Sequence, residues 1–179
     1  YRPAEFLMEQ GFDVSVLPVN GEGQVGLEVL KATLRDDTIL VSIMYVNNEM
    51  GAIEPVEDIS RIIKAKNKDI LFHVDAIQAY TKLRITPKAQ GIDMLSASGH
   101  KFHGPKGVGF LYIDSNVKIN PIIFGGGHQR GMRSGTINTT GIAGMGVAAK
   151  EAYENFDERI KKIKDLKYYL MDNLEEIEG

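Results

Sequence analysis

Ser98-Gly99-His100-Lys101 follows directly on the apolar run Ile92-Asp93-Met94-Leu95-Ser96-Ala97. The run predicts a strand, so the four residues after it place a lysine at the mouth of that strand. Two earlier apolar runs also end in polar residues, at Val46-Asn47-Asn48-Glu49 and at His73-Val74-Asp75-Ala76-Ile77-Gln78. Three predicted strands therefore deliver polar groups at the same end.

The order of these segments predicts an α/β fold. Apolar runs that alternate with helical patterns are typical of parallel strands joined by crossover helices. Open sheets of this kind bind ligands beyond the carboxyl ends of their strands. We therefore expect Asn48, Asp75 and Lys101 to converge at one edge of the sheet.

The side chains expected at this edge suit pyridoxal phosphate. A lysine amine forms a Schiff base with the cofactor, and a carboxylate keeps the pyridine nitrogen protonated so that the ring acts as an electron sink. Hydroxyl, imidazole or amide groups bind the phosphate and the phenolic oxygen. All of these groups occur at the predicted strand ends.

Four motifs, in the order and near the spacing of the family, resemble the cysteine desulfurases of the NifS/IscS type, which are fold-type-I pyridoxal-phosphate enzymes. They are Val46 to Gly51, His73 to Gln78, Ser98 to Gly107 and Gly125 to Thr136. The resemblance implies a three-layer α-β-α arrangement with a mostly parallel sheet. Residues 1–150 would be the central part of the large cofactor-binding domain, and residues 151–179 an amphipathic helix leading toward a small C-terminal domain.

The resemblance also implies roles for individual residues. Lys101 would be the catalytic lysine that binds the cofactor and carries protons, and Asp75 would pair with the pyridine nitrogen. Donors to the phenolic oxygen and the phosphate would be Asn48, Gln78, Ser98 and His100. Thr136 resembles a threonine that reaches the phosphate of the neighbouring subunit's cofactor, which implies a homodimer.

The implied reaction converts L-cysteine to L-alanine and passes the sulfur to an enzyme cysteine as a persulfide. A sulfur-acceptor or iron–sulfur scaffold protein would then receive it, and we expect a cytoplasmic location. The chain itself has no cysteine. With Tyr1 at its start, we expect the 179 residues to be the middle of a longer enzyme, inactive alone and unable to hold the cofactor tightly.

Two alternatives to a cysteine desulfurase stay open. One is another fold-type-I enzyme, such as a selenocysteine lyase or an aminotransferase, which would share Asp75 and Lys101. The segment from Gly125 to Thr136 resembles the NifS/IscS branch and argues against it. The other is that this piece is an inert scaffold or a partner-binding element.

Composition is ordinary for a globular domain, with 43% hydrophobic and 25% charged residues. A formal net charge of −3 gives no electrostatic reason to expect nucleic acid or an anionic membrane as a partner. No apolar run approaches the ~20 residues of a membrane span. Composition therefore leaves the enzyme interpretation standing.

Several residues invite a different interpretation. His73 lies inside an apolar run, where a histidine is more often a hydrogen-bonded core residue than a ligand. His100 and His103 are three apart, but no carboxylate pair adjoins them, so we do not expect zinc. The stretch from Gly104 to Gly109 lacks the spacing of a phosphate loop and precedes a predicted strand, so we expect no nucleotide site there. Gly125 to His128 predicts a flexible turn.

The remaining pattern predicts the order of helices and strands. One predicted helix ends at Gly11, and two more span Gly26–Leu34 and Pro55–Lys66. A short helix passes through Ala79, and the chain is predicted to be helical from Ile137 onward. The other predicted strands are Phe12–Leu17, Thr38–Val46, Ile70–Val74 and an antiparallel Val108–Ile113. The last helix carries an apolar stripe at Tyr153, Phe156, Ile160, Ile163, Leu166, Leu170, Leu174 and Ile177.

Overall fold

The computed structural model describes residues 2–175 and contains one four-stranded sheet. The helices are α1 (Arg2–Glu9), α2 (Leu27–Thr33), α3 (Val56–Lys66), α4 (Thr139–Glu154) and α5 (Phe156–Glu175). The strands are β1 (Leu40–Met44), β2 (Leu71–Asp75), β3 (Met94–Ser98) and β4 (Gly109–Ile113). They are ordered β1-β2-β3-β4, the first three parallel and β4 antiparallel. The predicted α/β fold with a mostly parallel sheet is confirmed.

One face of the sheet forms the core of the molecule. Alternate residues of each strand point to the same face, and on this face they are buried: Val41, Ile43, Phe72, Val74, Leu95 and Ala97. Val56, Ile59 and Ile63 of α3 are buried in the same core. The opposite face carries Ser42, His73 and Ser96 and is only partly covered, since Leu40 and Leu111 stay 44% and 47% exposed.

Helix α3 follows the predicted bounds because its local signals agree. Pro55 occupies the position before the first turn, Glu57 and Asp58 lie in that turn, and Lys64 and Lys66 lie in the last one. Acidic residues near the amino end and basic residues near the carboxyl end both complement the helix dipole. The apolar positions at three- and four-residue spacing then turn one face toward the sheet.

Two of the predicted elements are wrong. Residues 12–17 are not a strand, because Phe12 and Val16 are 51% and 54% exposed and no ladder of hydrogen bonds joins this segment to the sheet of the described chain. The segment around Ala79 forms successive turns rather than a helix. In both segments the local sequence favours a regular element, but tertiary packing overrides this preference.

The C-terminal helical region is divided into two helices. Helix α4 ends at Glu154, Asn155 leaves the helical conformation at φ −115° and ψ 34°, and α5 begins at Phe156. The predicted domain boundary at residue 150 therefore lies inside α4. Ile177, the last residue of the predicted stripe, lies outside the described residues. None of the helices between residues 2 and 175 combines the length and apolar composition that a membrane crossing requires.

Candidate active site

The carboxyl ends of β1, β2 and β3 lie at one edge of the sheet. Asp75 is the last residue of β2, and its Cα pairs with that of Met44 at the end of β1 and with that of Ser96 in β3. Ser98 is the last residue of β3. Because the three strands are parallel, Asp75 and Ser98 emerge at the same edge, and the Lys101 turn follows Ser98 directly.

Local hydrogen bonds hold the Asp75 side chain in place. Its Oδ1 accepts the backbone N–H of Ile77 at 2.9 Å. The main chain on either side is also held, since the Asp75 carbonyl accepts from Tyr45 N–H at 2.8 Å and Ala76 N–H donates to the Ser96 carbonyl at 2.9 Å. The carboxylate is therefore fixed at the strand end by the turn that follows it.

The Lys101 turn depends on a glycine and a buried phenylalanine. Residues Gly99–Phe102 form one 3-10 turn, which leaves Lys101 exposed and Phe102 buried. Phe102 contacts Tyr80 edge-on, with ring centroids 5.0 Å apart. A Cβ at Gly99 would lie 3.1 Å from the Pro105 carbonyl oxygen, so a larger residue would require these two backbone segments to move apart by a few tenths of an ångström.

The other predicted ligands lie in four segments: the end of β3 with the turn after it, the loop after β1, the turn after β2, and the loop before α4. Ser98 Oγ and His100 Nδ1 are hydrogen bonded at 2.9 Å. Asn48 is exposed in the loop after β1, where its Nδ2 donates to Glu49 at 2.8 Å, and Gln78 is half-buried in the turn after β2. Thr136 is exposed in the loop before α4. The ends of β2 and β3 thus place Asp75 and Ser98 at one edge of the sheet, and Asn48, Gln78 and His100 follow in the segments beyond the strand ends. Thr136 lies in a separate loop.

Comparison with known proteins identifies the family. Residues 1–179 match the model of the aminotransferase class-V family. The chain belongs to this family.

Similar class-V proteins include several called cysteine desulfurases. Cysteine desulfurase IscS of Clostridium botulinum is 49% identical over 172 residues, which are 96% of this chain and 43% of that protein. A solved NifS-like protein superposes with a TM-score of 0.93 at 46% identity, covering 96% of this chain and 47% of that one. A structure of SspA in complex with cysteine superposes with a TM-score of 0.80 at 39% identity, covering 90% of this chain and 48% of that one. The chain thus spans less than half the length of these relatives.

The residues at the strand edge fit the pyridoxal phosphate used by class-V enzymes. Lys101 offers an exposed amine, and Asp75 keeps its Oδ2 free of hydrogen bonds within residues 2–175. Ser98 and His100 add a hydroxyl and an imidazole of the kind that binds phosphate. No group of three or more metal-ligating side chains occurs in the described part of the chain. The donor set therefore suits an anionic aldehyde cofactor with a basic ring nitrogen.

Sequence reasoning missed Lys82. Its Nζ donates to the backbone carbonyl of Lys101 at 3.2 Å, which ties the segment after β2 to the Lys101 turn. Burial, with the charges of Lys101 and Arg159, lowers the pKa of Lys82. A main-chain acceptor 19 residues away leaves no mark in the sequence, so no motif signals this contact.

Proposed function

We propose that the whole protein is a pyridoxal-phosphate-dependent cysteine desulfurase. The observation that carries this proposal is the position of Asp75, Ser98 and the Lys101 turn at one edge of the sheet. The names of the relatives support the choice of reaction within the class-V family, since Clostridium botulinum IscS is 49% identical over the matched region. The cofactor, when bound, supplies an electron sink for the carbanion formed at the substrate Cα.

Two residues would carry the proton chemistry. Lys101 would bind the cofactor covalently through its amine and then move the proton at the substrate Cα, as a lysine freed by the incoming amino acid is placed to do. Asp75 would hold the proton on the pyridine nitrogen. The hydrogen bond from Ile77 N–H to Oδ1 favours this role, because it orients the carboxylate and leaves the second oxygen for the ring.

The remaining ligands would orient the cofactor. We propose that Asn48 and Gln78 donate to the phenolic oxygen and that Ser98 and His100 bind the phosphate. The hydrogen bond between Ser98 and His100 supports their acting together. Thr136, which lies in a separate exposed loop, would reach the phosphate in the neighbouring subunit of a homodimer.

The sulfur chemistry would require a residue outside this chain. Residues 1–179 contain no cysteine, so the thiol that attacks the substrate sulfur and carries the persulfide would come from another part of the whole protein. L-cysteine would be the substrate, and a sulfur acceptor or an iron–sulfur scaffold protein would be the partner. A cytoplasmic location stays a prediction.

The proposal can be tested on the whole protein loaded with pyridoxal phosphate. Incubation with L-cysteine and a reductant should yield alanine and sulfide in equal amounts. Lys101→Ala should abolish both products and the visible absorbance of the covalently bound cofactor. Lys106→Ala, which removes another exposed lysine of the same loop, should leave both unchanged.

Product analysis separates the alternatives. Release of selenide from selenocysteine without sulfide from cysteine would indicate a selenocysteine lyase. Transfer of the amino group to a keto acid would indicate an aminotransferase. Either result would overturn the proposed desulfurase.

A further inference from the structure

A row of three hydrogen-bonded side chains crosses the partly covered face of the sheet. Ser42 Oγ lies 2.8 Å from His73 Nδ1, and His73 Nε2 lies 3.1 Å from Ser96 Oγ. The three residues belong to β1, β2 and β3, so one imidazole joins three neighbouring strands. His73 is hydrogen bonded, as predicted, but it is half-buried on the partly covered face of the sheet rather than in the core.

This row adjoins Asp75. Residues two apart in a strand point to the same face, so the His73 and Asp75 side chains emerge on the same side of β2. Ser96 links them across the strands, because it is hydrogen bonded to His73 and its Cα pairs with that of Asp75. The imidazole is therefore the neighbour of the proposed pyridine partner on the partly covered face, two residues closer to the start of β2.

The surroundings favour a neutral His73. A serine hydroxyl both donates and accepts, so Ser42 and Ser96 satisfy the ring in either neutral tautomer. Burial lowers the pKa of His73, and the smaller opposing effect of Asp75 raises it. Asp75 is the charged group of the described chain that acts on this ring. The residues paired with His73 on the neighbouring strands, Ser42 and Met94, are uncharged.

We propose that His73 is a positioning residue that keeps Asp75 available to the cofactor. An imidazolium beside Asp75 would attract the carboxylate and weaken its hold on the pyridine proton. A neutral ring, anchored by Ser42 and Ser96, fixes the strand without competing for that charge. This inference rests on the proposed function, because it assumes that the whole protein binds pyridoxal phosphate.

The proposal predicts linkage between His73 and the cofactor. When the pyridinium pairs with Asp75, the carboxylate no longer favours the imidazolium, so the pKa of His73 falls on cofactor binding. By reciprocity, protonation of His73 must weaken cofactor binding by the same factor. A fall of about one pH unit corresponds to an affinity about tenfold lower for the protonated form.

The experiment uses the whole protein with 15N-labelled histidine. The chain contains four histidines, so the His73 signal is assigned by its loss in His73→Gln. Its titration is followed with and without pyridoxal phosphate, and the dissociation constant of the cofactor is measured over the same pH range. We expect a lower His73 pKa in the loaded protein. In Asp75→Asn, the cofactor should no longer shift the pKa.

Variants separate positioning from a merely structural role. His73→Gln is neutral and offers both donor and acceptor groups to the serines, so it should keep the affinity at alkaline pH and lose the weakening at acidic pH. His73→Leu should bind the cofactor more weakly at every pH. His103→Asn, which changes an exposed histidine outside the row and suits its φ of +68°, should keep the pH profile of the unmodified protein.

Several outcomes would overturn the inference. An equal His73 pKa with and without cofactor, or the same acidic weakening in His73→Gln, would show that the imidazole does not communicate with Asp75. Absence of cofactor binding would overturn both this inference and the proposed function. Linkage in a protein that binds the cofactor but forms no alanine and sulfide would support the role of His73 and overturn the desulfurase alone.

Discussion

The buried carboxyl group of Glu54 connects two loops of the molecule. Its side chain is only 8% exposed. Both carboxyl oxygens accept the Val25 N–H, at 3.1 and 3.3 Å. The contact joins the turn before α2 to the loop after β1, which also carries Asn48. Burial raises the pKa of Glu54 above its ordinary value.

The raised pKa makes the stability of the chain depend on pH. A carboxyl whose pKa is higher in the folded state stabilises the fold below its unfolded pKa, and this contribution is lost as pH rises through the folded pKa. Glu54→Gln stays uncharged and keeps an oxygen for Val25 N–H. As the pH rises from about 4 to about 8, we therefore expect the free energy of unfolding of Glu54→Gln to increase relative to that of the unmodified chain. Urea unfolding at the two pH values measures this difference.

A matched control is available for Glu54. Glu22→Gln changes an exposed glutamate in the neighbouring turn and should alter the free energy of unfolding by less than about 0.5 kcal/mol. If the stability difference between Glu54→Gln and the unmodified chain is the same at both pH values, the carboxyl does not titrate as argued.

At the scale of elements, one ion pair ties α3 to the amino-terminal edge of the sheet. Lys64 Nζ donates to Asp93 Oδ2 at 2.6 Å and to the Ile70 carbonyl at 2.8 Å. The same Asp93 oxygen accepts the Phe72 N–H at 2.6 Å. The Lys64 and Asp93 side chains are 27% and 20% exposed, respectively. Helix α3 and the starts of β2 and β3 are thus held at the edge opposite the candidate active site.

Removal of Asp93 should be costly because it takes away the acceptor of the Phe72 N–H and the carboxylate that pairs with Lys64. We expect Asp93→Ala to lower the free energy of unfolding by about 2–3 kcal/mol, as measured by urea denaturation. Asp36→Ala is the control. It removes the partner of Lys66 in the same helix, but Asp36 is 99% exposed, and such pairs contribute about 0–1 kcal/mol. Equal losses in the two variants would contradict the assigned role of Asp93.

At the scale of the whole molecule, the start of α5 is held firmly and the rest is exposed. Phe156 stacks on Tyr153 with ring centroids 5.7 Å apart, and the Arg84 guanidinium lies 4.7 Å from the Phe156 ring. Arg84 also donates to Asp157 at 2.8 Å. Further along, the apolar stripe of α5 is between 53% and 59% exposed: Ile163, Leu166, Leu170 and Leu174.

The exposed apolar stripe of α5 predicts that the chain binds hydrophobic dyes and associates in solution. An exposed apolar face of this kind binds hydrophobic dyes and promotes association. Replacing Leu166 and Leu170 together by Gln should lower dye fluorescence and shift sedimentation toward smaller species, with little change in stability. Replacing Lys162 and Lys164 by Gln in the same helix should not lower the fluorescence. Unchanged dye binding in the leucine variant would show that the stripe is covered.

The sequence by itself determined the elements that carry their own signals. Helix α3 has its proline, its end charges and its apolar spacing within 12 residues, and β2 and β3 end where apolar runs meet Asp75 and Ser98. Because parallel strands end at a common edge, their side-chain types also predicted a cofactor site there. The roles of Asn48, Gln78 and Thr136 came from the family resemblance and stay predictions.

Only the tertiary structure decided which segments find partners. Residues 12–17 alternate like a strand, yet no neighbouring strand completes their hydrogen bonds within residues 2–175. The Ser42–His73–Ser96 row joins residues 31 and 23 positions apart, and the Lys82 contact with the Lys101 carbonyl spans 19. A local sequence pattern indicates which conformation and burial a segment favours, but not which other segment it will contact. Strand register and hydrogen bonds between residues far apart in the sequence arise only when the whole core packs.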